Sequence, residues 1–191
     1  MEGIEMTLLE WFDKGFTYDE YKEQMKVNLA EMNSVYEQFA LNESARAELQ
    51  ALKDVASKAI VLTEDWCGDA LMNNPILMKI AKELEIEVHF LLRDSNLELM
   101  DQYLTNGTAR SIPIFIFIDD KGNEKAVWGP RAPEAQSFVD DLREKLPSKD
   151  AVDFQERQKE MYKQIKQTYL ADQELWHAVA TSMIEKLKSN R

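Results

Sequence analysis

The residue best suited to chemistry is the single cysteine of the chain, Cys67. It follows a short apolar run, Ala59 to Leu62, that predicts a buried strand, and it precedes a helical pattern over about 68–84. Cys67 is therefore expected at a strand-to-helix junction, where unpaired backbone N–H groups and a partial positive charge favour an anion. Such surroundings lower the pKa of a thiol and increase the fraction present as the nucleophilic thiolate. The pattern points to thiol chemistry at Cys67.

Three acidic residues close to Cys67 oppose that effect. Glu64, Asp65 and Asp69 raise the pKa of the thiol through like-charge repulsion, and the sequence leaves open which tendency is larger. Asp69 has two interpretations: a first-turn residue stabilised by the helix dipole, or a proton acceptor beside the sulfur. Trp66 is expected to be a partly exposed packing residue that flanks the site. Glu64 and Asp65 are interpreted as a solvated acidic rim.

The composition predicts a globular, acidic protein. Hydrophobic residues make up 45% of the 191-residue chain and charged residues 30%, a globular rather than disordered balance. The formal net charge of -12 opposes nucleic-acid backbones and anionic membranes, so we expect neither as a partner. The longest apolar run, Ile112 to Ile118, is too short to span a bilayer.

The number of cysteines and the first ten residues indicate the cellular compartment of the protein. A single cysteine excludes an internal disulfide and fits a reducing compartment, in which thiols stay free. The segment from Met1 to Glu10 is acidic and has no basic stretch of the kind that opens a signal peptide. We therefore expect a cytoplasmic protein.

Between residues 58 and 147 the pattern alternates between strand and helix. Strands are predicted over 59–63, 87–92, 112–118 and 124–128, and helices over about 68–84, 97–104 and 132–146. Asn106-Gly107 is expected to end the middle helix, and Gly122 lies in a turn that joins the last two strands as a hairpin. The order β-α-β-α-β-β-α indicates an α/β domain with a mixed sheet flanked by helices.

Helical extensions are predicted on both sides of this domain. Over residues 1–57, the pair Thr17 and Glu20 matches a capping box that opens a longer amphipathic stretch, and Asn42 can cap a further helix. Residues 148–191 return to helix, with two apolar stripes that we interpret as docking faces against the central domain. The first stripe contains Phe154, Met161, Ile165 and Thr168/Tyr169, and the second contains Leu175, Trp176, Val179, Met183, Ile184 and Leu187. The predicted division of this one compact unit is 1–57, 58–147 and 148–191.

The order of these elements, with Trp66 and Cys67 at the end of the first strand of the sheet, resembles the thioredoxin family. Pro75 lies eight residues after Cys67, where thioredoxins carry the proline that kinks the active-site helix. The segment 110–113, Arg-Ser-Ile-Pro, is similar to the family's segment with a cis-proline, which packs opposite the reactive sulfur. The resemblance covers roughly residues 55–146 and implies a thioredoxin-like fold.

Two glycines and one longer motif extend the resemblance. Gly122 lies in the hairpin turn, as in thioredoxins, and Gly129 resembles the glycine after the last strand that lets a partner chain approach. Residues 64–70 read Glu-Asp-Trp-Cys-Gly-Asp-Ala. The whole chain, with its helical extensions, is similar to the thioredoxin-like proteins of Gram-positive bacteria that share this motif.

The resemblance also implies a set of site residues. It places Cys67 and Trp66 at the catalytic positions and Ile112, Pro113 and Gly129 at the substrate-binding positions. Asp69, which stands where the family has proline, is added to the catalytic residues as the candidate proton acceptor beside the sulfur. Pro113, if its peptide bond is cis, would present the backbone of Ile112 to an extended peptide; alternatively it is a rigid turn into the central strand. No cofactor is expected. No metal site is expected either, because His89 and His177 have no cysteine or histidine at ligand spacing.

The chain departs from the family at the position that completes its chemistry. Thioredoxins carry Trp-Cys-Gly-Pro-Cys, whereas residues 66–70 read Trp-Cys-Gly-Asp-Ala, so Ala70 stands where the resolving cysteine would be. Val61 stands where the family has a buried carboxylate. Without a second thiol, the chain cannot turn over as an ordinary dithiol reductase.

Two functions fit this variant. The first is monothiol thiol–disulfide exchange in cell redox homeostasis, in which Cys67 attacks a disulfide or a thiol-capped cysteine and an external small thiol resolves the intermediate. The second is a redox-inactive interaction module, in which the scaffold binds a protein partner and Cys67 is incidental. The expected partners are protein thiols or disulfides, or a low-molecular-weight thiol.

Overall fold

The computed structural model describes residues 3–189 and contains, within them, a four-stranded mixed sheet. Its strands are β1 (Lys58–Thr63), β2 (Glu87–Leu92), β3 (Ile114–Ile118) and β4 (Glu124–Trp128), in the spatial order β2-β1-β3-β4. β1 is parallel to β2 and antiparallel to β3, and β3 is antiparallel to β4. The predicted α/β class with a mixed sheet is confirmed.

Helices cover both faces of this sheet. Four precede β1: α1 (Leu8–Lys14), α2 (Tyr18–Gln24), α3 (Leu29–Gln38) and α4 (Glu43–Gln50). Two connect the strands: α5 (Gly68–Leu84) and the short α6 (Leu97–Met100), which follows a 3-10 turn at Arg93–Ser95. Three follow β4: α7 (Pro133–Glu144), α8 (Phe154–Ala171) and α9 (Gln173–Lys188). Within residues 3–189, no helix is long and apolar enough to cross a membrane.

The ends of the two predicted extensions fall partly outside the described residues. Met1 and Glu2 belong to the acidic N-terminal segment, and residues 190–191 end the C-terminal extension; all four lie beyond the described range 3–189. The three-part division at residues 57 and 147 stays a prediction.

Alternation along the strands builds a hydrophobic core on each face of the sheet. Ala59 and Val61 face the larger core, which also contains α3, α5 and α9 side chains. Ile60 and Leu62 face a smaller core together with side chains of α1 and α6. The second predicted stripe packs in the larger core through Leu175, Trp176, Val179, Met183, Ile184 and Leu187. That stripe is therefore a docking face, as predicted.

The sheet register determines what lies beside the end of β1. Leu62 pairs with Ile114 in the antiparallel β1–β3 ladder, and Thr63 is the last residue of β1. Because the two strands run in opposite directions, the residues just before Ile114 lie next to those just after Thr63. The segment containing Pro113 is thereby placed beside Cys67.

The predicted long helix of the N-terminal region is divided in two. The capping box is confirmed, because Thr17 N donates to Glu20 Oε1 at 2.9 Å and Glu20 N donates to Thr17 Oγ1 at 3.2 Å. The helix that it opens ends at Gln24, however, and Asn28 has a left-handed φ of 63°. A left-handed residue cannot continue a right-handed helix, so α3 starts afresh at Leu29. Asn42 caps α4 as predicted, by accepting a hydrogen bond from Ala45 N at 2.8 Å.

Two predicted boundaries in the central domain are wrong. The middle helix ends at Met100 rather than about residue 104, because the next backbone bonds are those of tighter turns: Gln102 N donates to Leu99 O at 3.0 Å and Tyr103 N to Met100 O at 2.9 Å. The central strand begins at Ile114 rather than residue 112, since Pro113 has no N–H to donate to the ladder. Both differences concern the loop that approaches Cys67.

Candidate functional site

Cys67 lies between the end of β1 and the start of α5. It is the N-cap residue of α5, and its carbonyl accepts a hydrogen bond from Leu71 N at 3.2 Å. Only 8% of the residue is exposed, and it packs in the smaller core with Ala70. The thiol donates to the carbonyl oxygen of Ile112, with Sγ and oxygen 3.5 Å apart. The predicted strand-to-helix junction is confirmed, and the thiol faces the segment before Pro113.

The pKa of Cys67 is raised to about 11. Burial is the largest cause, because it disfavours the charged thiolate, and the negative charge of Asp69 acts in the same direction. The backbone N–H groups of Ala70 and Asp69 and the charge of Arg131 lower the pKa, but by less. The N-terminus of α5 therefore lowers the pKa of Cys67 as predicted, but burial and the charge of Asp69 raise it by more. At neutral pH the site holds a protonated thiol.

Asp69 is held by two side chains from distant parts of the chain. Its Oδ1 accepts a hydrogen bond from Arg131 Nε at 2.9 Å and another from the Tyr169 hydroxyl at 2.7 Å. Trp176 Nε1 in turn donates to the backbone oxygen of Tyr169 at 2.7 Å. Burial, followed by the charge of Asp69, raises the pKa of Tyr169, so the phenol remains a donor. The described residues show no hydrogen bond between the Asp69 carboxylate and the Cys67 thiol, so the use of this carboxylate as a proton acceptor stays a prediction.

Trp66 and its acidic neighbours have different degrees of exposure. Trp66 is 54% exposed, and the Arg93 guanidinium lies 5.0 Å from its ring centroid, a cation–π distance. Glu64 is buried and accepts a hydrogen bond from Asp94 N at 2.9 Å. Asp65 is half-buried and accepts one from Lys26 N at 2.8 Å. The interpretation of a solvated acidic rim is therefore wrong, because both carboxylates bind backbone groups.

The three predicted substrate-binding residues lie in two adjacent loops. The Ile112–Pro113 peptide bond is cis, and both residues are buried. Gly129 is exposed with a φ of 133°, and a Cβ built on it would lie 2.1 Å from the Pro113 carbonyl oxygen. The absence of a side chain thus lets the chain after β4 pass against Pro113. That Ile112, Pro113 and Gly129 bind a partner chain stays a prediction.

A set of buried polar side chains lies on the other side of the junction. Thr63, Asn73 and Asn74 are fully buried. Asn74 Nδ2 donates to Thr63 Oγ1 at 3.1 Å, and Asn73 Nδ2 donates to the Pro130 carbonyl at 3.0 Å. Val61, which stands where the family resemblance implies a carboxylate, is also fully buried. The polar groups near this position are therefore those of the neutral Thr63–Asn74 pair.

Two clefts meet at Trp66, Cys67 and Asp69. One, of about 500 Å³, continues along α8 past Tyr162 and Ile165. The other, of about 520 Å³, extends over the segment before Pro113 and is lined by four arginines: Arg93, Arg110, Arg131 and Arg143. Cys67 thus forms part of the floor of two depressions, each large enough for a small molecule.

Arg131, Tyr169 and Arg93 are members of the site that are not predicted from the sequence. Arg131 and Tyr169 reach Asp69 from 62 and 100 residues away along the chain, and no local pattern identifies either. Tyr169 was predicted only as part of an apolar stripe. Among residues 3–189, no group of three or more histidine, cysteine, aspartate or glutamate side chains is arranged to hold a metal.

Solved structures with the same architecture cover nearly the whole chain. A protein of unknown function from Pseudomonas aeruginosa superposes with a TM-score of 0.67 at 15% identity, covering 98% of this chain and 100% of that one. A crystallised HIV epitope-scaffold superposes with a TM-score of 0.64 at 16% identity, covering 97% of this chain and 100% of its own. At these identities the likeness is one of fold alone. No curated protein matches the chain.

A family model described as thioredoxin matches residues 15–143. The match begins before α2 rather than near residue 55, so the family's model includes most of the helices that precede β1. It also contains β1 to β4, Cys67 and the cis-proline segment. Because the matched region spans more than half of the chain, the protein belongs to the thioredoxin family.

Proposed function

We propose that this protein carries out monothiol thiol–disulfide exchange through Cys67, within a reducing, cytoplasmic compartment. The observation that supports it most is the position of the sulfur. Sγ lies at the start of α5, 3.5 Å from the Ile112 carbonyl oxygen and beside the cis-proline, on the floor of two clefts. A disulfide bound in either cleft would have its sulfurs next to Cys67.

The exchange needs two thiols, of which the protein supplies one. The Cys67 thiolate attacks one sulfur of a disulfide, a Cys67–substrate disulfide forms, and the other half leaves as a thiolate that takes a proton from solvent. Ala70 offers no second thiol, so an external small thiol attacks the substrate sulfur of the mixed disulfide. A new disulfide forms between that thiol and the substrate, and Cys67 is released as a thiolate.

The raised pKa of Cys67 sets the speed of this reaction. With a pKa of about 11, roughly one Cys67 in ten thousand is a thiolate at neutral pH, although each thiolate is intrinsically more nucleophilic. The same high pKa makes Cys67 a poor leaving group when the external thiol attacks. The proposal is therefore a slow exchange with a long-lived mixed disulfide, rather than rapid reduction.

Intact-mass spectrometry combined with a turnover assay tests this function. The protein is incubated with a peptide that carries a small-thiol mixed disulfide, and release of the free thiol is followed in the presence of excess external thiol. We expect a mixed disulfide on Cys67 and turnover above the uncatalysed rate, both lost in Cys67→Ser. Equal rates for wild type and Cys67→Ser would refute the proposal.

A second candidate function is a redox-inactive interaction module. The low exposure of Cys67 and its raised pKa favour it, because both reduce thiol reactivity. Affinity capture with wild-type protein and with Cys67→Ser separates the two. Partners held only through wild-type Cys67, and released by reductant, support exchange. An identical, reductant-insensitive partner set with both proteins supports the module.

A further inference from the structure

Arginines are concentrated in one of the two clefts beside Cys67. The chain has seven arginines, and four of them, Arg93, Arg110, Arg131 and Arg143, line the cleft of about 520 Å³. They come from four separate segments: the 3-10 turn after β2, the loop before β3, the loop after β4, and α7. In a chain with a net charge of -12, this convergence makes the cleft locally cationic.

The carboxylates around the cleft do not cancel this charge. Three of the arginines each pair with one aspartate: Arg93 with Asp94 at 2.9 Å, Arg110 with Asp101 at 2.8 Å, and Arg131 with Asp69 at 2.9 Å. Arg143 is exposed, and its side chain has no ion pair or hydrogen bond among residues 3–189. Of the four guanidinium groups, that of Arg143 is therefore the one without a carboxylate partner in the described part of the chain.

The pairing also holds the guanidinium groups in place. Arg110 is paired in bidentate fashion, through Nε and Nη2 at 2.8 and 3.0 Å from Asp101. Arg93 donates from Nη1 to the Arg110 carbonyl at 3.0 Å and lies against the Trp66 ring. A guanidinium has five N–H donors, so two bonds leave others for a ligand. Planar forks of this kind match carboxylates, and ordering them in advance reduces the entropic cost of binding.

The other cleft, of about 500 Å³ along α8, has no arginine in the part of its lining that the structure describes. Beyond the residues that the two clefts share, its lining contains the apolar side chains of Leu71, Tyr162 and Ile165. The cation in its lining, Lys166, already donates to Asn28 Oδ1 at 3.0 Å. Cys67 therefore has an apolar depression on one side and a cationic one on the other. The cationic cleft has the volume of a small-molecule site, which lies between about 300 and 1,000 Å³.

We propose that the arginine-lined cleft binds the carboxylates of a small anionic thiol, or of its disulfide, and holds the ligand's sulfur against Cys67. The sulfur chemistry in this inference depends on the proposed function, whereas anion binding is a property of the cleft alone. In the reaction, the Cys67 thiolate forms a disulfide with the anionic half. The original disulfide breaks, and the other half departs as a thiolate that is protonated by solvent.

Calorimetric titration with thiodipropionate tests the anion site without any exchange reaction. This thioether carries two carboxylates but has no disulfide to react. We expect binding to wild type that weakens with added salt and is about tenfold weaker in Arg143→Gln. Arg157→Gln is the matched control, because Arg157 is also exposed, has no side-chain partner within residues 3–189, and lies outside the cleft. No binding, or equal affinity in both variants, would overturn the inference.

Exchange rates with three small disulfides test whether the cleft presents the sulfur. We expect Cys67 to be modified fastest by anionic dithiodipropionate, more slowly by neutral bis(hydroxyethyl) disulfide, and slowest by cationic cystamine. The preference should shrink in Arg143→Gln and persist in Arg157→Gln. Equal rates for all three disulfides would overturn the inference, as would a clear preference for an acidic peptide disulfide over dithiodipropionate. If thiodipropionate bound in an Arg143-dependent way but no disulfide modified Cys67, the anion site would stand and the proposed exchange would fail.

Discussion

The Tyr169 hydroxyl on α8 donates a 2.7 Å hydrogen bond to the Asp69 carboxylate in the first turn of α5. Asp69 lies at the N-terminus of α5, beside Cys67, whereas Tyr169 belongs to the C-terminal helices, 100 positions later. The bond is part-buried, and Arg131 donates to the same oxygen at 2.9 Å. The C-terminal helices thus take part directly in the surroundings of Cys67.

Tyr169→Phe should destabilise the protein while preserving its fold. The substitution removes one of two hydrogen bonds to a carboxylate of low exposure, so we expect the free energy of unfolding to fall by about 1.5–3 kcal/mol. Urea unfolding of Tyr162→Phe supplies the control, because Tyr162 is an exposed tyrosine of the same helix. If the two variants were equally stable, the Tyr169–Asp69 bond would have no structural importance.

Asp69→Asn should lower the pKa of Cys67 from about 11. The charge of Asp69 is the second largest cause of the raised pKa, and its removal also leaves the Arg131 charge unopposed. The pH dependence of alkylation, followed by intact mass, gives the pKa. Asp65→Asn is the matched control: Asp65 is two residues from Cys67, and its replacement keeps an oxygen that can accept from Lys26 N. A shift of equal size in both variants would argue against a specific role of Asp69.

The stability of the wild type should fall relative to Cys67→Ala above about pH 9. The folded pKa of Cys67 is about 11, whereas an unfolded cysteine titrates near 8.5. The protonated thiol therefore favours the folded state below about pH 8.5, and this contribution is lost as pH rises toward the folded pKa, by about 1.4 kcal/mol per pH unit. The free energy of unfolding of both proteins is measured in urea from about pH 7 to about pH 10.5. Because the two proteins have the same tyrosines, the difference between them isolates the effect of Cys67 from tyrosine ionisation. A difference that stayed constant over that range would contradict the raised pKa.

Ala70→Cys should give the protein an internal resolving thiol. Ala70 is 2% exposed, lies three residues after Cys67 in the first turn of α5, and packs in the same core. We expect reduction of insulin disulfides to become measurable and the mixed disulfide on Cys67 to become short-lived. Ala70→Ser, which adds a side-chain atom without a thiol, should resemble wild type in the same assay. Insulin reduction that remained at the wild-type level would mean that the second thiol cannot reach Cys67.

Gly129→Ala should be strongly destabilising. A Cβ at this position would lie 2.1 Å from the Pro113 carbonyl oxygen, and the φ of 133° is unfavourable for any side chain. We expect a loss of about 3 kcal/mol or more in thermal or urea unfolding. Gly107→Ala is the control for the steric contact, because Gly107 also has a positive φ, of 72°, but a Cβ built on it would meet no atom within 4 Å. That control should lose only about 1 kcal/mol.

Much of the fold follows from local sequence patterns. Both ends of α5 match the apolar periodicity over 68–84, and the Thr17–Glu20 pair correctly opens α2. β2 and β4 likewise match the predicted ranges. These elements are predictable because each is defined by residues close together in the chain. The end of α6 is predicted less well: after Met100 the chain forms tighter i→i−3 turns, which the apolar pattern over 97–104 does not distinguish from helix.

The site is less predictable than the fold, because several of its contacts join segments far apart in sequence. The junction at Cys67 is local and follows from the sequence, but the burial that raises its pKa comes from packing against segments such as the one containing Ile112, 45 residues away. Glu64 has an acidic side chain that composition would place in solvent, yet it binds the backbone of Asp94. Arg131 and Tyr169 both come to Asp69 from distant parts of the chain. No spacing in the sequence reveals those partners.

The arrangement of tryptophans gives the molecule a built-in optical reporter. Of the four, Trp11, Trp128 and Trp176 are at most 5% exposed, whereas Trp66 is 54% exposed and adjoins both clefts. A water-soluble quencher such as iodide will therefore act mainly on the emission of Trp66. Any molecule that settles next to Cys67 will shield that indole from the quencher. Occupancy of the site can thus be followed in the unlabelled, unmodified protein by fluorescence alone.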